Sequence, residues 1–417
     1  MIHTDCIVVG AGISGLVAAK LLAEKGQSVV VLEAANRPGG RIHTIYSEKK
    51  NLLVECGAEF IHGALPHTLK LLDEAGIKIQ KVKGKFYDAG ERDTDDEPDH
   101  WPELMDRMSE LTEDIPMSEF LHIYFPGEKY SGLRQSAAGF AAGFDLADIT
   151  DASTRALYRE WTHEEGDQFR MEGGYGNLVD YLEKACKEKG CLFTYGCPVK
   201  TIDWGEGFVQ INGEENLQAK KLILTVPLGI LQLDEYDAGF IRFQPEISAQ
   251  RSAARQIGFG SVIKIILVFK ENFWEKKYEQ MGFLFSNEEI PTWWTRFPSA
   301  DPVLTGWMGG PHVQEMHARG KEYILEKALR SLRNIFQLEK EEIDEMMEEY
   351  IIADWQEDPW SRGGYSYHTL YSSGAIQLLK GPVENTLYFA GEAVDDGDSP
   401  GTVESAIRSA VFCVENF

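Results

Sequence analysis

Gly10-Ala11-Gly12-Ile13-Ser14-Gly15 lies almost at the start of the 417-residue chain, and its surroundings decide the fold. The preceding Asp5-Cys6-Ile7-Val8-Val9 has the composition of a short buried strand. Leu16 to Lys25 reads as a helix stopped by Gly26, and Ser28 to Leu32 as a second strand ending at Glu33, eighteen residues after Gly15. Strand, glycine turn, helix, strand and acid in this order form a dinucleotide-binding fingerprint. Gly10 allows the tight turn, Gly12 lets backbone approach a pyrophosphate, and Gly15 lets the helix pack on the strand. The helix N-terminus, which includes Ser14, offers unpaired N–H groups and a positive dipole end to phosphates. Glu33 can accept hydrogen bonds from a ribose.

The next residues select the dinucleotide. Arg37-Pro38-Gly39-Gly40-Arg41 supplies two guanidiniums for which a nicotinamide site has no need. An FAD site can use them, because a guanidinium binds a pyrophosphate bidentately. Glu55-Cys56-Gly57-Ala58-Glu59-Phe60-Ile61-His62-Gly63 follows. Gly57 and Ala58 are small enough for backbone to lie against an isoalloxazine ring, with Glu59 and Phe60 beside them.

A chain of 417 residues suits two domains, each with its own core. Its composition, 43% hydrophobic and 11% aromatic, is that of a soluble globular protein. No run of about 20 apolar residues is present to span a membrane. Met1 to Thr4 is too short for a signal peptide, so a cytoplasmic location is expected. Lys and Arg number 41 against 67 Asp and Glu, a formal charge of −26. This argues against a nucleic-acid partner and is compatible with cationic substrates or simply with solubility. The six cysteines form no CxxC pair, and the spacing of Cys186, Cys191 and Cys197 fits no zinc pattern. Reduced, mostly buried thiols and no metal are expected.

Residues 91–115 open with an acidic run, Glu91 to Asp99, read as a surface loop leading into a helix. Residues 104–172 are helix-rich, with Ser118 to Tyr124 and Ser153 to Thr162 as helices. Leu178 to Glu188, Lys321 to Phe336 and Val403 to Val414 read as further helices. Strands are expected at Leu192 to Tyr195, Val199 to Ile202, Lys220 to Val226 and Leu387 to Ala390. The expected architecture is α/β: a discontinuous Rossmann-like FAD-binding domain and a substrate domain of mixed sheet plus helices. The boundaries drawn are 1–78, 172–253 and 359–417 for FAD binding, and 79–171 and 254–358 for substrate binding.

Lys264 interrupts Ser261-Val262-Ile263-Lys264-Ile265-Ile266-Leu267-Val268-Phe269, a strand apolar on both faces. A buried ammonium is costly without a partner, which makes Lys264 a functional-site candidate; the alternative is a gatekeeper lysine on an edge strand. Trp355, Trp360 and Tyr365 surround Asp358-Pro359 and can orient an amine or simply fill a core. Glu392, after the last strand, can bind cofactor hydroxyls, and Gly401-Thr402-Val403 opens the last helix toward the flavin or its phosphates. Asp395, Asp396 and Asp398 read as a solvated loop. His62 can line the active site or be an ordinary loop histidine, and it makes no metal pair with His67.

These motifs together resemble the flavin amine oxidase family, which includes monoamine, polyamine and L-amino acid oxidases. The resemblance runs over nearly the whole chain, through Gly173-Gly174, Thr225-Val-Pro-Leu-Gly229 and Leu387-Tyr-Phe-Ala-Gly-Glu392 as well as the stretches above. It implies that Glu33 binds the adenosine ribose, Arg41 the pyrophosphate, Val199 the adenine through its backbone, and Glu392 the ribityl–phosphate region. Lys264 then matches the lysine that holds a water at flavin N5. His62 matches the histidine of a polyamine-oxidase motif in which Phe60 replaces a tryptophan. Monoamine oxidases attach FAD through a cysteine at the position of Gly364, so the resemblance implies non-covalent FAD here. One cage tyrosine is Tyr365; the other falls on Thr402. The implied activity is oxidation of a small-molecule amine, with oxygen as acceptor and hydrogen peroxide as product. A protoporphyrinogen-oxidase-like or desaturase-like flavoprotein, or a non-catalytic FAD-binding module, are the alternatives.

Overall fold

The computed structural model describes residues 2–63, 65–90, 100–163, 166–212, 216–397 and 399–417. The acidic run Glu91 to Asp99 and Asp398 lie outside the described residues. The architecture is the expected α/β, built on two large sheets.

The first sheet has the glycine-rich turn at its centre. Strand Ile2–Val9 lies parallel between Val29–Leu32 and Leu217–Leu224. Leu192–Thr194 extends the sheet beyond Val29–Leu32, and Leu387–Phe389 pairs with the end of Leu217–Leu224. All four residues of Val29–Leu32 are buried, as a parallel strand covered on both faces requires. Register fixes the position of the site. Val9 is level with Leu32 and Leu224, and Leu224 is level with Phe389. Four parallel strands therefore end at one height, and the residues leaving them are Gly10, Glu33, Thr225 and Ala390-Gly391-Glu392. The carboxyl edge of such a sheet is where ligands bind.

The first helix spans Ile13–Glu24, starting three residues before the expected Leu16, because Gly12 rather than Gly15 stands at its N-cap. A Cβ on Gly15 would lie 2.0 Å from the carbonyl oxygen of Gly10, so only glycine lets the helix sit this close to the strand end. The C-terminal helix Val403–Glu415 packs beside it, and the Ser14 hydroxyl donates to the Ala406 carbonyl at 2.7 Å. The expected strand Val199 to Ile202 begins only at Thr201, where Thr201–Gly205 starts.

The second sheet has six strands in the order Met347–Asp354, Val262–Phe269, Val303–Gly309, Thr292–Thr295, Met281–Phe285, Lys85–Asp88. It is antiparallel except for its last pair. Val262–Phe269 is interior and buried along its whole length, so Lys264 is not an edge gatekeeper. Alternation sorts its side chains. Ile263, Ile265, Leu267 and Phe269 pack with Ile324, Ala328 and Leu332 of helix Lys321–Phe336. Ile266 and Val268 pack instead with Val54 and Cys56, which precede Gly57. Lys264 shares that second face and so points toward the glycine-containing stretch.

Helices Trp101–Ser109, Met117–Tyr124, Ser131–Gly143 and Thr154–His163 form a third core around Phe120, Phe125 and Trp161. A small sheet pairs Ile61–His62 with Gln168–Met171, which also pairs with Ile79–Lys81.

Candidate active site

One cavity of about 930 Å³ runs from the carboxyl edge of the first sheet to the second sheet and the helices. Every residue expected to touch the cofactor lines it except Gly15, which faces the strand and acts through packing.

At the nucleotide end, backbone does most of the work. Gly10, at φ 105°, turns sharply from the strand, and its N–H donates to Leu32 O at 2.8 Å. A Cβ on Gly12 would meet no protein atom within 4 Å; it would project into the cavity instead. The first helical turn carries no acidic side chain and no side-chain cap, so no side chain of the turn competes for its N–H groups. The loop through Gly39 and Gly40 lies against this turn, with the Gly39 N–H donating to Ala11 O at 2.8 Å. A cradle of bare glycines and unspent amides fits a pyrophosphate. Glu33 accepts from the Ala11 and Ala35 amides at 2.6 and 2.8 Å, and burial raises its carboxyl.

The two arginines of this loop do different things. Arg37 turns inward and donates to the carbonyls of Pro38, Gly40 and Ile42, so it staples its own loop. Arg41 reaches across the cavity to Glu392 at 2.8 Å and to the Gly364 carbonyl at 2.6 Å. Glu392 is buried and also accepts from Ser366 Oγ at 2.6 Å. Thr402 is an N-cap: its hydroxyl donates to Ser399 O and accepts from the Ser405 amide. Gly401 gives space to the Tyr365 ring, which a Cβ would approach to 2.7 Å. Asp395 corrects the expectation of a solvated loop. It is buried and ion-paired with Arg408, while Asp396 remains exposed and binds Lys380 and Gln377.

Lys264 forms the opposite wall. Its Nζ donates to Glu59 Oε2 at 2.7 Å and to the Gly57 carbonyl at 3.2 Å, 5.4 Å from the Trp294 ring centroid. Glu59 also accepts from Arg170 Nε at 2.9 Å and from Trp294 Nε1 at 3.2 Å. Burial alone would raise the Glu59 carboxyl; the charges of Lys264 and Arg170 outweigh it and hold the group at about 2. Two cations on one carboxylate leave this buried wall with a surplus positive charge. Behind it, burial pushes Glu55 up to about 7 although Thr44 and the Tyr175 amide donate to it. Trp355 donates from Nε1 to Cys56 O at 2.9 Å and packs on Gly57.

Over this wall sits an aromatic collar. Tyr365 packs with Trp355, Trp307, Leu146 and Val262, and its hydroxyl donates to Phe144 O at 2.5 Å. Trp360 lines the cavity but packs outside that cluster. His62 meets the edge of Phe144 with centroids 5.8 Å apart, and burial lowers its imidazole to about 4. Phe60 continues to Phe283, which stacks on the exposed Phe86. The cavity brings Lys264, Tyr365 and His62 together; Trp294, Phe144, Asp145 and Glu160, which the sequence reading did not single out, also line it, and Arg170 reaches it only through Glu59. For Arg170 the available signal was a charged residue between Phe169 and Met171 in a strand.

Among the described residues, no group of His, Cys, Asp and Glu is arranged to hold a metal ion, and no helix is long and apolar enough to cross a membrane.

The family model for flavin-containing amine oxidoreductases matches residues 13–415. Lysine-specific histone demethylase 1B of Mus musculus is 29% identical over 447 aligned positions, which cover 98% of this chain and 52% of that protein. Lysine-specific histone demethylase 2 of Homo sapiens is 30% identical over 451 positions, covering 98% and 53%. The chain thus spans about half the length of the curated relatives it matches. Among solved structures, putrescine oxidase bound to putrescine superposes with a TM-score of 0.81 at 20% identity, covering 98% of this chain and 97% of that one. Cyclohexylamine oxidase from Brevibacterium oxydans IH-35A gives 0.78 at 20% identity, covering 99% of each. At such identities the structural likeness carries the fold. Together with the family match over residues 13–415, the glycine cradle, the four aligned strand ends and the lysine-bearing wall make this chain a member of the flavin-containing amine oxidoreductase family, with FAD as its cofactor.

Proposed function

We propose that the chain is an amine oxidase that holds FAD non-covalently and oxidises a C–N bond. What FAD supplies when bound is a hydride acceptor at N5 that dioxygen reoxidises, giving hydrogen peroxide. The amine loses a hydride from its α-carbon and a proton from its nitrogen; the imine then takes up water and yields a carbonyl compound plus ammonia or a smaller amine.

The observation that carries this reading is the buried Lys264–Glu59–Arg170 wall. Its surplus positive charge favours negative charge arriving in front of it. Two of the three Lys264 N–H donors are committed, to Glu59 and Gly57 O; the third is assigned to a water in the cavity. Tyr365, fixed by Phe144 O, is assigned to align the amine. His62 stays neutral at pH 7 and so accepts a hydrogen bond from substrate without repelling it. Non-covalent binding is supported at Gly364, which carries no thiol and where a Cβ would crowd Leu146 at 2.5 Å and Val262 at 2.8 Å. Cys56, the thiol beside Gly57, is raised to about 11 by burial and remains protonated. We also retain the division into an FAD-binding domain (1–78, 172–253, 359–417) and a substrate domain (79–171, 254–358) as a proposal.

The test is anaerobic bleaching of the purified yellow protein by polyamines, acetylated polyamines, aromatic monoamines and L-amino acids. A peptide with a methylated lysine belongs in the panel, because the relatives above are named for that substrate. Rapid bleaching by one class is expected. A protein left yellow by all of them contradicts the proposal.

A further inference from the structure

Cys186 and Cys191, whose spacing fits no zinc pattern, are brought together by a helix end. Helix Gly176–Glu188 closes with two backbone hydrogen bonds, from the Cys191 N–H to Cys186 O and from the Gly190 N–H to Lys187 O, each 3.0 Å. Gly190 takes the left-handed φ of 88° that this turn needs. In such a helix end the side chains that meet are those of the two residues joined by the outer bond, and here both are cysteines. Their sulfurs also converge on one neighbour. Cys186 Sγ donates to Leu16 O at 3.3 Å and Cys191 Sγ to Ala19 O at 3.7 Å. Those carbonyls are roughly 4.5 Å apart along the axis of helix Ile13–Glu24, so the two sulfurs are held side by side.

The surroundings suit a small oxidant. Both cysteines are buried, but Lys187 to Gly190 and Leu192 are exposed, so a single turn of chain separates the pair from solvent. The backbone is already closed between the two positions, as a disulfide requires. The contact between the thiols lowers Cys191 below its ordinary value and, together with burial, raises Cys186. Burial raises Cys6, Cys56 and Cys413 instead. Thiolate is the form that attacks an oxidant, so Cys191 is the nucleophile of the pair and Cys186 its neighbour in reach.

We propose that Cys186 and Cys191 are a dithiol that hydrogen peroxide closes to a disulfide, and that the bridge loosens the helix carrying the FAD cradle. The Cys191 sulfur attacks one peroxide oxygen; the O–O bond breaks, and a sulfenic acid and a water form. The Cys186 sulfur then attacks the Cys191 sulfur, the S–O bond breaks and a second water leaves. Two thiols and one peroxide give one disulfide and two waters, the sulfurs losing the two electrons that reduce the O–O bond. Bridging takes both S–H donors from helix Ile13–Glu24, whose N-terminus opens the pyrophosphate cradle. The inference rests on the amine-oxidase reading only for the source of the peroxide, a product made in the same molecule.

The experiment adds hydrogen peroxide to the folded holoenzyme, removes it with catalase, blocks remaining thiols with iodoacetamide and cleaves after lysine. Cuts after Lys187 and Lys189 part the two cysteines, so the bridge appears in mass spectra as two peptides joined until dithiothreitol separates them. The joined pair is expected, with FAD released several-fold faster than from untreated holoenzyme and the original rate restored by dithiothreitol. Cys186→Ser is expected to stop at a sulfenic acid on Cys191, which dimedone labels. Cys191→Ser is expected to leave Cys186 unreacted and FAD release unchanged by peroxide, and it repeats the test should the first variant not fold. Cys186 and Cys191 both recovered as alkylated thiols after peroxide overturn the proposal, as does a bridge that forms only in the urea-unfolded chain. Unchanged FAD release from fully bridged protein overturns the link to the helix. Because the peroxide is added, failure of the amine-oxidase reading, seen as a flavin that no amine bleaches, is a separate result.

Discussion

The two ends of the cavity are built by opposite strategies. At the nucleotide end, Gly10, Gly12, Gly15 and Glu33 lie within 24 residues, and most of the work is done by backbone. At the lysine-bearing end, Glu59, Arg170, Lys264 and Trp294 come from distant parts of the chain and act through side chains. A local, backbone-built site depends on where side chains are missing. A long-range site depends on charges that balance only once the fold is complete. Substitutions at the two ends are therefore expected to fail differently.

The largest effect is expected at the nucleotide end. Gly15→Val places carbon where the Gly10 carbonyl already stands at 2.0 Å from the Cβ position, so helix Ile13–Glu24 cannot seat. Loss of soluble, flavin-loaded protein is expected, read as flavin absorbance per mole of chain. A yellow Gly15→Val protein with normal loading would show that the close packing is dispensable.

Next comes the charge hub. Glu59→Gln leaves Lys264 and Arg170 buried without their shared carboxylate, and losing one partner of a buried pair costs about 3–5 kcal/mol. Equilibrium unfolding measures this directly. The pH dependence has a definite sign. The folded value of about 2 lies below the ordinary 4.5, so the Glu59 contribution is present above pH 4.5 and lost as pH falls toward 2. The wild-type advantage over Glu59→Gln should shrink across that window; a constant difference would mean that Glu59 is not the ionised hub.

The smallest effect is expected where the ends meet. Gly364→Cys overpacks against Leu146 and Val262, at a cost of about 1–3 kcal/mol. The flavin should still be released on denaturation. Flavin retained by the unfolded chain would show that the thiol reaches it after all.

The same contrast explains what could be read from the sequence. The dinucleotide end was legible because each feature has a local cause: a turn needing positive φ at Gly10, a helix start at Gly12, an acid after a buried strand. Lys264 was legible because one charge inside Val262–Phe269 breaks an apolar pattern. Its partners were not. Glu59 read as a cofactor neighbour, because nothing in the sequence shows that residues 205 positions apart will pair. Asp395 read as solvated because its Arg408 partner lies on the following helix, across the turn. Helix Ser131–Gly143 lies in the stretch read as helix-rich but had no bounds of its own there, since Gly132, Gly139 and Gly143 weaken its helical signal.

The most direct test of the lysine wall is rapid mixing of wild type and Lys264→Met, following flavin reduction by the best amine and reoxidation by dioxygen as separate half-reactions. The account predicts that at least one half-reaction slows by on the order of a hundredfold, while FAD content stays normal. Unchanged rates in both half-reactions would contradict it.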